Sequence, residues 1–216
     1  MEAVEGGLPP ADGVARFNHL YLAVTREVLS EAASETGFED PAFLARLDVR
    51  FAELYFAAHD AVAGGHEADR AWAPLFEARS ASDVAPIQFA LAGMNAHINF
   101  DLCIALVETC GELGIALEHD SPQRRDYDRV NGILERVEAS VKGDLEDELL
   151  RVADDALGRV DDVIAMWSVA RARDAAWTHA EVLTALSGLP PLRDEYLTTL
   201  GRFVGLAGRG LLVPTL

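Results

Sequence analysis

The residues best equipped for chemistry stand in the most apolar part of the chain, in the string Gly93-Met94-Asn95-Ala96-His97-Ile98-Asn99-Phe100-Asp101-Leu102. A buried donor or acceptor needs a partner, so four polar groups in an apolar helix mark either a satisfied network or a site. His97 and Asp101 are four apart and stand one above the other on a helical face. A carboxylate in that place can orient an imidazole as a general base, and the same pair can hold a metal ion. Asn95 and Asn99 flank the pair as groups that could bind a ligand. Ala90, Gly93 and Ala105 share its face, and their small size leaves room for close helix contact or for a cavity.

Other segments offer residues to complete such a site. Asp48, Tyr55 and His59 share one helical face, His19 follows Asn18 on the first helix, and Arg171 with Asp174 lies near Trp167, Trp177 and Thr178. If these faces converge, His97 is the general base or a metal ligand, Asp101 is its partner, and Arg171 faces an anionic group on the ligand. Asn95, Asn99, Tyr55 and Trp177 then line the pocket. In the metal version His19, Asp48, His59, His97 and Asp101 supply the ligands of a divalent ion such as zinc, iron or manganese, which needs at least three of them. In the structural version the same residues satisfy each other: His97 with Asp101 or Asp48, the asparagines with backbone, and Arg171 with a carboxylate. His66 and His119 are expected in solvent, and His179 is open.

Several familiar chemistries have no motif here. The chain has no GxxxxGK, no GxGxxG after a strand, no GxSxG and no CxxC, and it lacks the paired Glu-x-x-His of di-iron bundles. It also falls short of the histidines and the N-terminal ligand that helical zinc phospholipases and nucleases use.

The elements that must position these residues are helices. Alanine (35) and leucine (28) far outnumber isoleucine (6) and threonine (8), which favours helix over strand, and no period-2 run is sustained. Asp12 is a good N-cap for a first helix reaching to near Gly37, and Asp40-Pro41 opens a second that stops at Gly64-Gly65. A short helix covers Ala68 to Ala78. Ser82 or Asp83 caps a long apolar helix from Ile87 to about Leu117, with Gly111 and Gly114 as possible breaks. Ser121-Pro122 restarts the chain, a continuous stretch runs from about Asp144 to Leu186, and a closing helix after Gly188 to Pro191 ends in the glycine-rich tail Gly205 to Gly210. The expectation is an all-α, single-domain bundle over 1–216, of seven or eight helices around the central apolar helix at about 87–117. Residues 1–10 are expected to be flexible.

Composition bounds the partners. With 36 acidic against 18 basic side chains the net charge is −18, and Lys142 is the sole lysine. Nucleic acid and anionic membrane surfaces bind clustered Lys and Arg, so neither is an expected partner. Cys103 and Cys110 are seven apart, about 10 Å along a helix, too far to bridge, and read as reduced core residues. Residues 1 to 10 lack the basic start and apolar run of a signal peptide, and no unbroken apolar run of about 18 residues occurs, so the chain is read as soluble and cytoplasmic.

The strings Phe17-Asn18-His19-Leu20-Tyr21, Leu47-Asp48-Val49-Arg50-Phe51-Ala52, Gly93 to Leu102, Ala170 to Trp177 and Gly208-Arg209-Gly210-Leu211-Leu212 resemble an uncharacterised all-helical family common in actinobacteria. The resemblance spans nearly the whole chain. It implies one helical domain and brings no reaction with it. Two functional readings therefore stand. One is an enzyme acting on a small, partly apolar molecule in a buried polar pocket, by metal-assisted hydrolysis or by general acid and base catalysis. The other is a non-catalytic ligand-binding or interaction protein whose buried His, Asp and Asn residues form a hydrogen-bond network.

Overall fold

The computed structural model describes residues 1–34, 37–134 and 168–214, and among them every regular element is a helix. In chain order they are α1 (Glu2–Gly7), α2 (Gly13–Ser34), α3 (Pro41–Ala63), α4 (Ala73–Ala78) and α5 (Pro86–Ala96). A π-helical turn (His97–Asp101) then joins α5 to α6 (Leu102–Leu113). Beyond these lie α7 (122–134), α8 (Val169–Ala185) and α9 (Pro190–Leu211). The stretch expected as a helix from Asp144 lies outside the described residues as far as 167, and α8 begins where the Ser168 hydroxyl caps the Arg171 N–H.

The central helix is the α5, π-turn and α6 unit, Pro86–Leu113, with almost every side chain of α5 buried. It is long and apolar enough to cross a membrane, but 83% of its most apolar window is covered by the rest of the protein. Helices α2 and α9 pack on α5, while α3 and α8 pack on α6. The central helix stops at Gly114, whose φ of 65° is left-handed and suits a residue without Cβ. Its start differs from expectation. Neither Ser82 nor Asp83 is the cap; Ala85 holds that place, and its N–H donates to the Gln88 side chain at 2.9 Å. The Gln88 amide also donates to the Leu211 and Val213 carbonyls, each at 2.8 Å, which ties the end of α9 to the start of α5.

Two further elements go beyond the sequence reading. The first ten residues contain α1, which docks on α2 through the Asn18 amide donating to the Met1 carbonyl at 3.2 Å. The glycines from Gly205 to Gly210 are not a tail: α9 continues through them to Leu211. A close contact accounts for the glycine at position 205 of this helix. A Cβ at Gly205 would lie 2.3 Å from the Arg70 carbonyl oxygen, whereas one at Gly208 would make ordinary contact with Pro74 at 3.4 Å. Glycine at position 205 sets how closely α9 approaches the chain before α4.

Candidate functional site

The π-turn carries the pair that the spacing singled out. The Leu102 N–H reaches back to the His97 carbonyl, which opens one wide turn in the middle of the central helix. Across that turn His97 Nδ1 lies 3.0 Å from Asp101 Oδ2, with both side chains buried. Asp101 also accepts from Trp72 Nε1, at 3.0 Å and 3.2 Å to its two oxygens. A buried Trp N–H needs an acceptor, and α4 delivers Trp72 from its N-terminal end to supply one link of a Trp72–Asp101–His97 chain.

An aromatic cage surrounds the imidazole. Phe51 stacks face to face on it, with ring centroids 3.5 Å apart and an interplanar angle of 2°, while Tyr21 stands edge-on at 4.6 Å. Phe17, Tyr55 and Trp72 complete the cage. Gly93 makes room for it, since a Cβ there would lie 2.3 Å from the Phe17 ring. Burial pushes the Asp101 carboxyl well above the usual carboxylate range and the His97 imidazole well below its ordinary value. Both directions favour an uncharged pair that shares one proton along the Nδ1 to Oδ2 line. Two atoms of this cluster remain unsatisfied: His97 Nε2 and the Tyr21 hydroxyl are buried and have no hydrogen-bond partner.

A groove of about 290 Å³ lies beside the cage, in contact with α2, α3, α6, α7 and α8. Its wall is apolar apart from Asp48 and Arg173. Phe51 belongs to both places: it lines the groove and stacks on His97. Asp48 is exposed at the groove's rim, where partial desolvation raises its carboxyl. The volume is near the lower end of the roughly 300–1,000 Å³ of small-molecule pockets.

The remaining predicted residues are dispersed. His19 is on the surface with its Nδ1 2.7 Å from Glu5 Oε1, and His59 turns to Asp60 at 3.2 Å. With these two elsewhere, the five-residue ligand set does not assemble around His97, and among the described residues no three His, Cys, Asp or Glu side chains are grouped to hold a metal ion. Arg171 is exposed on α8. Asn95 donates to the Val204 carbonyl at 2.9 Å and accepts from Asn99 at 3.1 Å, so both serve the contact with α9. The Tyr55 hydroxyl donates to Asn18 Oδ1 at 3.2 Å. Trp177 is fully buried against Tyr127 and donates to Glu181. His66 and His119 are exposed, and His179 Nδ1 pairs with the Tyr196 hydroxyl at 2.7 Å.

Residues that the spacing argument left out of the site include Phe51, Tyr21 and Arg173. For Arg173 a signal existed: Val169, Arg173, Ala176, Trp177, Ala180 and Leu183 fall on one helical stripe, and all are buried. The neighbouring stripe bearing Arg171 carries Asp174 and Thr178 instead, all three exposed.

Against known proteins, a model described as "Family of unknown function (DUF5995)" matches residues 1–214, and the chain belongs to that family. No curated protein and no solved structure matches it.

Proposed function

We propose that this member of a family of unknown function takes a small, partly apolar molecule into the groove beside Phe51, and that the His97–Asp101 pair handles a proton on it. The observation that carries this reading is the buried, unpartnered Nε2 of His97, one aromatic ring away from the groove. A structural network gains most when every member is satisfied, and this one leaves its most versatile atom without a partner. Asp101 fixes the ring and its tautomer through Nδ1, and Nε2 is then the atom available to give or take a proton. Phe51, which lines the groove and stacks on the imidazole, is the side chain whose rotation would open the His97 ring to the groove. General acid and base chemistry is the reaction class that fits this dyad.

One observation favours a second reading, in which the dyad is purely structural: the cage encloses His97 on all sides, leaving the ring 1% exposed. Nitrogen NMR of the histidine rings separates the two. Titration with 1-octanol is expected to move the His97 Nε2 resonance while those of the exposed His66 and His119 stay still. Phe51→Ala is expected to enlarge the response. A groove that binds octanol with the His97 signal unmoved in both proteins would establish the structural reading.

A further inference from the structure

Arg173 is the feature of the groove that the dyad does not explain. Its guanidinium belongs to a residue 7% exposed, and a buried charge is costly unless it is paired. Among the described residues its partners are neutral. Nε donates to Asn131 Oδ1 at 2.6 Å, Nη2 donates to the Tyr127 carbonyl at 3.0 Å, and the group lies over the Tyr127 ring with its carbon 3.9 Å from the centroid. Among the described residues no carboxylate stands within ion-pair distance of it. Asp128 and Asp174 act on it only from farther off, and their nearer partner is Arg124, at 2.9 Å and 2.7 Å. Asp48 lies on the same groove without pairing with Arg173.

The three neutral contacts hold the guanidinium in a fixed orientation. Tyr127 and Arg173 bond each other twice, since the Tyr127 hydroxyl donates to the Arg173 carbonyl at 2.8 Å while the guanidinium returns to the Tyr127 carbonyl. This locks α8 to α7 and sets the side chain at the groove. A planar, fixed fork of donors is the form of cation that suits a carboxylate. The rest of the wall, including Leu29, Leu44, Leu47 and Val130, is hydrocarbon.

We propose that the groove binds a small aliphatic monocarboxylate, with its carboxylate paired to Arg173 and its chain lying along Leu44, Leu47 and Phe51. The inference rests on the groove being a ligand site and names the class of ligand it takes. The charge complementarity is specific: a neutral alcohol of the same length gains the same hydrocarbon burial without the ion pair, and an amine meets Arg173 as a like charge, with Asp48 facing it only at the exposed rim.

The test compares octanoate, 1-octanol and octylamine on the full chain by isothermal titration calorimetry. Octanoate is expected to bind at least tenfold more tightly than octanol, and octylamine to bind most weakly. In Arg173→Gln the octanoate preference is expected to vanish while octanol affinity is kept. Leu44→Trp, which fills the groove and leaves the arginine in place, is expected to weaken octanoate and octanol alike. Equal binding of octanoate and octanol to the natural sequence would overturn the carboxylate assignment and leave the groove a ligand site. Binding of none of the three would overturn the groove itself. Octanoate binding that persists undiminished in Leu44→Trp would place the carboxylate site elsewhere and overturn the proposal as well.

Discussion

At the scale of single residues, the proton shared by His97 and Asp101 has a measurable consequence for stability. A buried carboxyl with a raised pKa contributes stability below about pH 3.9 and loses it as the pH rises, whereas a buried imidazole with a lowered pKa contributes above about pH 6.5 and loses it as the pH falls. Between those values the unfolded chain carries one proton on the two groups and the folded pair also carries one, so the slopes cancel. Above about pH 6.5 the unfolded groups carry none, and over whatever range the raised Asp101 carboxyl keeps its proton in the folded pair, stability falls by up to about tenfold in the folding equilibrium per pH unit. Asp101→Asn imitates the protonated acid: its oxygen accepts from Trp72, its amide donates to His97 Nδ1, and it has no proton to lose. Urea unfolding of both proteins from pH 6 to pH 8.5 is therefore expected to show the variant gaining steadily on the natural sequence as pH rises. Parallel curves would mean that Asp101 is ionised in the folded protein. Asp101→Ala, which strands the Trp72 N–H and His97 Nδ1, is expected to cost about 2–5 kcal/mol at pH 6, and less as the pH rises because the variant also has no proton to lose.

At the scale of elements, α9 offers the clearest contrast, because glycines of one helix differ only in what faces them. Gly205→Ala drives a Cβ into the Arg70 carbonyl, which is backbone and cannot step aside, and the expected loss is at least about 1–3 kcal/mol as the helix is pushed off its neighbour. Gly210→Ala meets nothing within 4 Å and is expected to gain up to about 1 kcal/mol from helix propensity, less for its place in the last turn. Thermal unfolding of the two variants checks both signs, and a Gly205→Ala protein as stable as the natural one would refute the close approach. These glycines also show what the sequence concealed. Apolar periodicity made the helices of the central unit and of α3 legible, since each buries one stripe or is buried all round. A glycine held in a helix by a close contact is written the same way as a glycine that ends one, so the pattern alone ends α9 at Gly205 while the helix runs on to Leu211. The π-turn is equally silent: His97 and Asp101 are four apart in either geometry, so the spacing identified the pair and missed the wider turn that holds it. The site residues on other elements depended on which stripe of each helix faces inward. A shift of two positions on α8 separates the exposed Arg171 from the buried Arg173.

At the scale of the whole molecule, the charge of −18 bears on stability more than on partners. Among the described residues several arginines are already matched: Arg46 and Arg50 with Glu112, Arg125 with Glu39, Arg209 with Glu77, Arg124 with Asp128 and Asp174. Salt acts on these pairs and on the unmatched carboxylates in opposite directions. Screening the pairs removes little, because ion pairs at the surface contribute only about 0–1 kcal/mol each. The pair between Arg79 and Asp12, at 2.7 Å and largely covered, is screened least of all. Screening the excess acts on many more charges, since acidic side chains outnumber basic ones two to one and compaction brings them together. The repulsive contribution therefore dominates. Raising sodium chloride from about 0.01 to 0.15 M shortens the screening length from about 30 Å to about 8 Å, and the unfolding midpoint is expected to rise across that interval. Chloride is the anion to use, because sulfate would strengthen apolar burial on its own account. A midpoint that falls with salt would show that the matched arginines, and not the unmatched carboxylates, govern the electrostatics of this fold.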